Sequence, residues 1–313
     1  MPVREGILLI GGSGFLGLAL AKALARAGRE VHVLSRNTLP GNRDGISFHQ
    51  GGQEDATVVP PLIEICDTVV HLASTTTPGS SARKPVLDAE ENLLPAIRLM
   101  EIMSDAPPAR LIFVSSGGAL YGNPEQLPVG EDQPLQPLSY YAAGKVALES
   151  FFSTFAHTKN VSLAILRPAN LYGPGQDHRS GFGVIRTLLE KAQRDELFEI
   201  WGNGDIVRDY LYIDDAIRAI HLLIKVGHVS GRFNLGSGVG TSIRELIALV
   251  QSITRKQISV IERPARRSDV HSILLDGVRL REATGWFVEN REVAAQGRQW
   301  RTVRGLSAIV APA

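Results

Sequence analysis

The sequence predicts an α/β fold: a doubly wound parallel sheet of the Rossmann type, followed by a smaller C-terminal substrate-binding region. Three observations carry this. Strand-like and helix-like segments alternate through the first half of the chain. The strands are nearly continuous Val/Ile/Leu runs, as expected of strands buried on both faces. The first strand runs into a glycine-rich turn that opens a helix.

Taken in order, "GILLIG" reads as a buried strand and "FLGLALAKALARAG" as a helix closed by Gly28. "EVHVLS" and "GISFHQ" are the second and third strands. A helix over 56–65 leads to "DTVVHLAS", the fourth strand, and a long helix over 85–103 follows. "ARLIFVSS" is the fifth strand, "SYYAAGKVALESFFSTFAHT" a helix, and "VSLAILRP" a sixth strand stopped by Pro168. Right-handed crossovers wind these units into one sheet. After Pro168 the alternation loosens. A Pro/Gly/polar loop from Gly173 to Gly183 precedes a helix near 184–194, and "GRFNLG" and "SIRELIALVQSIT" read as a strand and a helix. The expected division is 1–168 for the dinucleotide-binding domain and 169–313 for the smaller region, with some later segments returning to the sheet.

The composition narrows the function. The 33 basic and 32 acidic residues leave a net charge of +1, so no nucleic-acid footprint follows. One cysteine, Cys66, excludes an internal disulfide and a cysteine-based metal cluster, so no metal is expected and a reducing cytoplasm is. The opening stretch imitates a secretory leader, with Arg4 before an uncharged span. Glu5, Lys22 and the glycines within that span argue against it.

Gly11, Gly14 and Gly17 form G-x-x-G-x-x-G between a strand and a helix, the context in which the motif binds a dinucleotide. Bare backbone there admits a pyrophosphate, and the helix N-terminus offers N–H donors and partial positive charge. Phe15 and Leu16 lie in the same turn. The second strand ends in "VLSRN". A carboxylate at this point would bind the ribose 2′-hydroxyl of NAD, but Ser35 and Arg36 stand here, and an arginine suits the 2′-phosphate of NADP. These residues lean the reading of an NAD(P) cofactor towards NADP.

"SYYAAGK" sets Tyr141 and Lys145 four residues apart, on one helical face. A phenol beside an ammonium is a candidate acid/base group, since the positive charge favours phenolate.

Together with "HLAS" (71–74), "SSGGALYG" (115–122), "LRPANLYGPGQ" (166–176) and "RDYLYIDD" (208–215), these motifs occur in order. The chain resembles the extended short-chain dehydrogenase/reductase family, in its nucleotide-sugar epimerase/dehydratase branch, over nearly its whole length. The resemblance implies a reaction in which the tyrosine takes the sugar O4 proton while C4 gives a hydride to the nicotinamide. Tyr141 would be the base and Lys145 its electrostatic partner; both also touch the cofactor. The Ser or Thr that bonds O4 in the family falls on Gly117 here, which leaves Ser116 by proximity or Ser115 by strand alternation. The resemblance favours NAD, against the lean that Ser35 and Arg36 give to NADP, and further implies cofactor contacts at Leu72, Ala73 and Asn92. Its adenine-binding Asp falls on Gly52, with Gln53 next to it. Asn170, Arg208 and Arg266 would hold the substrate diphosphate, and Asp269 the uridine ribose. Sugar dehydratases of this branch carry an Asp-Glu pair where Gly118 and Ala119 stand, and elimination of water needs such carboxylates.

The leading expectation is a nucleotide-sugar 4-epimerase acting on a UDP-hexose, with a homodimer formed by the helices near 85–104 and 140–158. A 4-keto-sugar reductase consuming NADPH is the alternative. A non-catalytic dinucleotide- or nucleotide-sugar-binding protein, suggested by Gly117, is the third reading. No nucleic acid or membrane partner is expected.

Overall fold

A computed structural model describes residues 4–37, 41–176, 183–265 and 270–289. The elements begin with β1 (Gly6–Ile10), α1 (Phe15–Arg26), β2 (Val31–Ser35), β3 (Ile46–Gln50), α2 (Val59–Ile65) and β4 (Cys66–His71). Next come α3 (Pro78–Ser81), α4 (Pro85–Asp88), a π-helical turn (Ala89–Leu93), α5 (Leu94–Met103), β5 (Arg110–Val114), α6 (Gly117–Leu120), α7 (Tyr140–Lys159) and β6 (Ser162–Pro168). The remainder is β7 (Asn170–Tyr172), α8 (Val184–Arg194), β8 (Phe198–Trp201), β9 (Val207–Tyr212), α9 (Ile213–Val226), β10 (Gly231–Leu235), β11 (Gly240–Ser242), α10 (Ile243–Thr254), β12 (Val260–Arg263), β13 (Ser272–Ile273) and α11 (Val278–Thr284).

The chain forms two units. The first comprises 1–116, 139–167 and 217–233; the second comprises 117–138, 168–216 and 234–313. Where sequence alone sets a boundary at 168, two segments therefore cross it.

The first unit is built on a seven-stranded sheet in the order β10-β6-β5-β4-β1-β2-β3. The pairings β1/β2, β1/β4, β2/β3, β4/β5 and β5/β6 are all parallel. This is the 3-2-1-4-5-6 order of dinucleotide-binding sheets, with the chain crossing over beside β1. β10 extends the edge; read from sequence it belongs to the smaller region. The uninterrupted apolar strands are what the burial requires: all five residues of β1 and all five of β2 are buried. Leu8, Val69, Leu111, Phe113, Leu99 and Phe152 meet in one core. Each such side chain taken from water stabilises the fold by about 1.5–3 kcal/mol.

The long helix expected over 85–103 is interrupted by the π-helical turn. Pro95 is the local cause: it has no N–H to give to the carbonyl four residues back, and its ring crowds that carbonyl. α7 is better defined. Ser139 caps it by accepting from the Ala142 N–H at 3.2 Å, and Asn160 ends it in the left-handed region at φ 54°.

In the second unit, β9 lies between β11 and β13 and also pairs β7, while β8 pairs β12. Leu188, Leu189, Ile200, Leu246 and Val250 form its core. Asp209 on β9 is 1% exposed and ties two backbone segments together, accepting from the N–H groups of Ser237 (2.8 Å) and Gly238 (3.0 Å) on one and Leu275 (3.2 Å) on the other. Among the described residues no helix is long and apolar enough to cross a membrane.

Candidate functional site

The glycine turn separates into packing glycines and one that packing does not require. A Cβ on Gly11 would lie 2.6 Å from Ala73 Cα, and Gly11 sits at φ +75°. One on Gly17 would lie 2.5 Å from Gly12 Cα. These two let the turn close on β4 and let α1 sit against the turn. Gly14 differs. Its φ of −73° is open to any residue, and a Cβ there would meet only Gly11 O, at 3.6 Å. Gly14 is also the exposed N-cap of α1, has no side-chain cap, and is followed by a first helical turn without acidic residues. The first N–H groups of such a helix have no intrahelical partner and suit an anion. A glycine that the protein itself leaves uncovered at this place fits a pyrophosphate approaching the backbone. Phe15 and Leu16 open the helix. Leu72 extends the β4 ladder by donating to Ile10 O at 2.9 Å, and Ala73 lies against Gly11. The residues present therefore fit a dinucleotide.

Other residues expected at the cofactor are engaged within the protein. The Ser35 hydroxyl is buried, 2.6 Å from that of Ser13, and accepts from the Asn37 N–H at 3.2 Å. It fastens β2 to the glycine turn instead of presenting itself to a ribose. Asn92 is buried, with its amide donating to Thr76 Oγ1 (2.9 Å) and Asp88 Oδ1 (3.2 Å) and its carbonyl accepting from the Thr75 N–H (2.8 Å). It shapes the loop after β4. Gln53 Oε1 accepts from His71 Nε2 at 2.6 Å. Burial, with the charge of Lys145 second, pulls His71 down to about 3, so the ring is neutral. Arg36 donates from Nη1 to Glu91 Oε2 and from Nη2 to Thr75 Oγ1, both at 2.9 Å. Its charge is already paired, which removes the support it gave to NADP.

The Tyr–Lys pair lies at the N-terminal end of α7. The backbone N–H of Tyr141, unpaired within the helix at this position, donates to Ser81 Oγ at 3.1 Å. The Ser116 and Ser74 side chains lie beside the Tyr141 phenol, where they favour its ionised form. Lys145 is buried; its Nζ donates to Val114 O at 3.1 Å and lies 5.1 Å from the Phe113 ring centroid and 6.0 Å from that of Tyr141. Burial lowers the Lys145 ammonium to about 8, against the opposing pull of Asp88 and Glu149. Burial raises the Tyr141 phenol above its ordinary value. The neighbouring Ser116 and Ser74 side chains act against this, and Asp88 adds to it. The direction is opposite to the lowering expected from a neighbouring ammonium, and burial is its largest cause.

The two candidate serines differ in their surroundings. β5 ends at Val114, and Gly117 starts α6, so strand alternation does not carry through to 117. Ser115 is buried and donates to Glu149 Oε1 at 2.7 Å. It belongs to a buried ion pair in which Arg167 meets Glu149 through Nε (3.0 Å) and Nη2 (2.6 Å). Ser115 is thus engaged with Glu149 inside the protein, while Ser116 is the one of the two beside the phenol.

Two acidic residues here were not found from sequence. Glu149 stands four residues after Lys145, so its place on the same face of α7 was legible from spacing. Asp88 was not. It is buried, accepts from Thr76 and Asn92, and comes so close to α7 that a Cβ on Gly144 would collide with its Oδ2. No local pattern announces a contact between residues so far apart in sequence.

In the second unit, Asn170 on β7 donates to Asp209 O at 3.2 Å, and a Cβ on Gly118 would lie 3.7 Å from its amide nitrogen. Arg208 on β9 donates to Val207 O at 3.0 Å and His271 O at 3.4 Å. Arg266 and Asp269 lie outside the described residues. Cys66 is a buried thiol pushed up to about 12 by burial first, which fits a packing role.

The family described as "NAD dependent epimerase/dehydratase family" matches residues 7–236. A UDP-glucose 4-epimerase of Mycolicibacterium smegmatis is 33% identical over 291 residues, covering 89% of this chain and 92% of that protein. Among solved structures, the Thermotoga maritima UDP-glucose 4-epimerase with UDP-glucose aligns with a TM-score of 0.84 at 31% identity, over 91% of this chain and 94% of that one. The Thermus thermophilus UDP-glucose 4-epimerase in complex with NAD gives a TM-score of 0.84 at 30% identity, over 91% of this chain and 94% of that one.

Proposed function

The chain belongs to the NAD dependent epimerase/dehydratase family, and on that premise we propose that it is a nucleotide-sugar 4-epimerase acting on a UDP-hexose with NAD as resident cofactor. The observation that carries this reading is the Tyr141 phenol beside the buried Lys145, whose Nζ lies 6.0 Å from the ring centroid, with Ser116 next to the phenol. NAD held at the glycine turn (Gly11, Gly14 and Gly17) would supply reversible hydride transfer at the sugar C4. The residues of the chain do the rest. Tyr141 takes the O4 proton as the ketone forms at C4 and gives it back after the sugar has turned. Ser116 hydrogen-bonds O4 and the phenol, so the proton moves along a short path. Lys145 holds a positive charge beside the phenolate and stabilises it as it forms. Asn170 and Arg208, with Arg266, supply donors for a diphosphate, where charge-assisted bonds are short and strong. Asp269 is assigned the uridine ribose.

Gly118 and Ala119 put no carboxylate where water elimination needs one, which speaks against a dehydratase. Pairing of Arg36 with Glu91 takes away the feature that favoured an NADPH-dependent reductase. Ser116 beside the Tyr141 phenol offers a hydroxyl where Gly117 has none, which supports the catalytic reading. The homodimer implied by the resemblance is supported by exposed apolar residues on the corresponding helices, Val86 at 65%, Leu94 at 46% and Phe151 at 44%. Such side chains gain from burial between copies.

The test is a panel of UDP- and other NDP-sugars incubated with the purified protein. The expected result is C4 inversion by NMR with no net change in dinucleotide absorbance. Oxidised or reduced sugar accumulating in step with dinucleotide turnover would replace the epimerase reading with the reductase one.

A further inference from the structure

We propose that Glu91 selects NAD over NADP by holding Arg36 away from the ribose 2′-position. This rests on the reading that a dinucleotide binds at the glycine turn. The end of β2 in such a sheet reads the adenosine ribose. An acidic group there binds the 2′-hydroxyl, and an arginine nearby accommodates a 2′-phosphate. Ser35, Arg36 and Asn37 bring no carboxylate of their own.

The fold delivers one from elsewhere. Arg36 donates to Glu91 and to Thr75 at 2.9 Å each, so two arms of its fork are directed at protein oxygens. Both acceptors are held. Thr75 is fixed through its N–H on Asn92, and Asn92, next to Glu91 in the π-helical turn, is itself anchored on Thr76 and Asp88. The pair is largely exposed, 58% for Arg36 and 33% for Glu91, and adds little to stability. Its consequence is for a charged ligand. A 2′-phosphate carries close to two negative charges. To bond Arg36 it must displace Glu91, and it would then lie beside an unpaired carboxylate. A 2′-hydroxyl carries no charge and meets no such penalty. Glu91 therefore does the work of the acidic residue that β2 lacks, and it turns a phosphate-binding residue type into part of an NAD site.

The experiment is isothermal titration of dinucleotide-stripped protein with NAD and with NADP. It uses the wild type, Glu91→Gln, Arg36→Ala and the double variant, each checked for folding by circular dichroism. Wild type is expected to bind NAD at least about ten-fold more tightly than NADP, the scale of one charge-assisted bond to phosphate. Glu91→Gln is expected to tighten NADP about ten-fold or more while leaving NAD nearly unchanged. The double variant is expected to lose that gain, which assigns it to the freed guanidinium. An unchanged NADP:NAD ratio in Glu91→Gln, a gain that survives in the double variant, or a wild type preferring NADP would each overturn the proposal. Folded wild type that binds neither dinucleotide would instead sink the reading beneath it.

Discussion

Ser116 lies beside the Tyr141 phenol, whereas its neighbour Ser115 is committed to Glu149 at 2.7 Å. Ser116→Ala is expected to cut kcat about 10²-fold, the scale of losing one preorganised donor, with the melting temperature unchanged. Ser115→Ala is expected to leave kcat within a few-fold and cost about 1–3 kcal/mol in denaturant unfolding, because a buried charged acceptor loses a partner. Asp88 gives a pH prediction with a definite sign. Its carboxylate raises both the Lys145 ammonium and the Tyr141 phenol. In Asp88→Asn both values fall, so the two limbs of the kcat profile move together to lower pH. A profile that keeps its position would remove Asp88 from the site's electrostatics. At this scale the sequence was informative about residue type and poor about direction. Tyr141 and Lys145 were legible from a helical spacing, but Ser35, Asn92 and Ser115 were chosen by position while their side chains are engaged inside the protein.

The glycine turn and its helix separate two kinds of constraint. Gly17→Ala is expected to destabilise by about 1–3 kcal/mol, since its Cβ meets backbone at 2.5 Å and α1 must move away. Gly14→Ala meets no such obstacle. It should keep the melting temperature of the cofactor-free protein and weaken dinucleotide binding; equal melting and equal binding would contradict the role given to Gly14. Across α7 and β6, the Arg167–Glu149 pair is 2% and 3% exposed at its side chains. Arg167→Met would strand a buried carboxylate and is expected to cost about 3–5 kcal/mol in equilibrium unfolding. Most elements were legible because buried parallel strands write continuous apolar runs. The break in the helix before Pro95 was missed because the apolar pattern runs straight through it. α9 was also passed over, although its apolar residues recur at helical spacing.

At the scale of the whole chain, the sheet order was within reach of the sequence, since a glycine turn followed by repeated strand–helix units permits few topologies. The exchange of 117–138 and 217–233 between the two units was not, because it depends on contacts between segments remote in sequence. Nor was the pairing of Arg36 with Glu91, 55 positions apart. On the proposed function, C4 is inverted by passing a hydride to a held dinucleotide and taking the same hydride back, with Tyr141 moving the O4 proton. The most direct measurement uses UDP-glucose deuterated at C4 in ordinary water, with the product examined by NMR. Product with inverted C4 that retains its deuterium, with no accumulation of free reduced dinucleotide, is the predicted result. Absence of inversion, or inverted product carrying solvent hydrogen at C4, would contradict it.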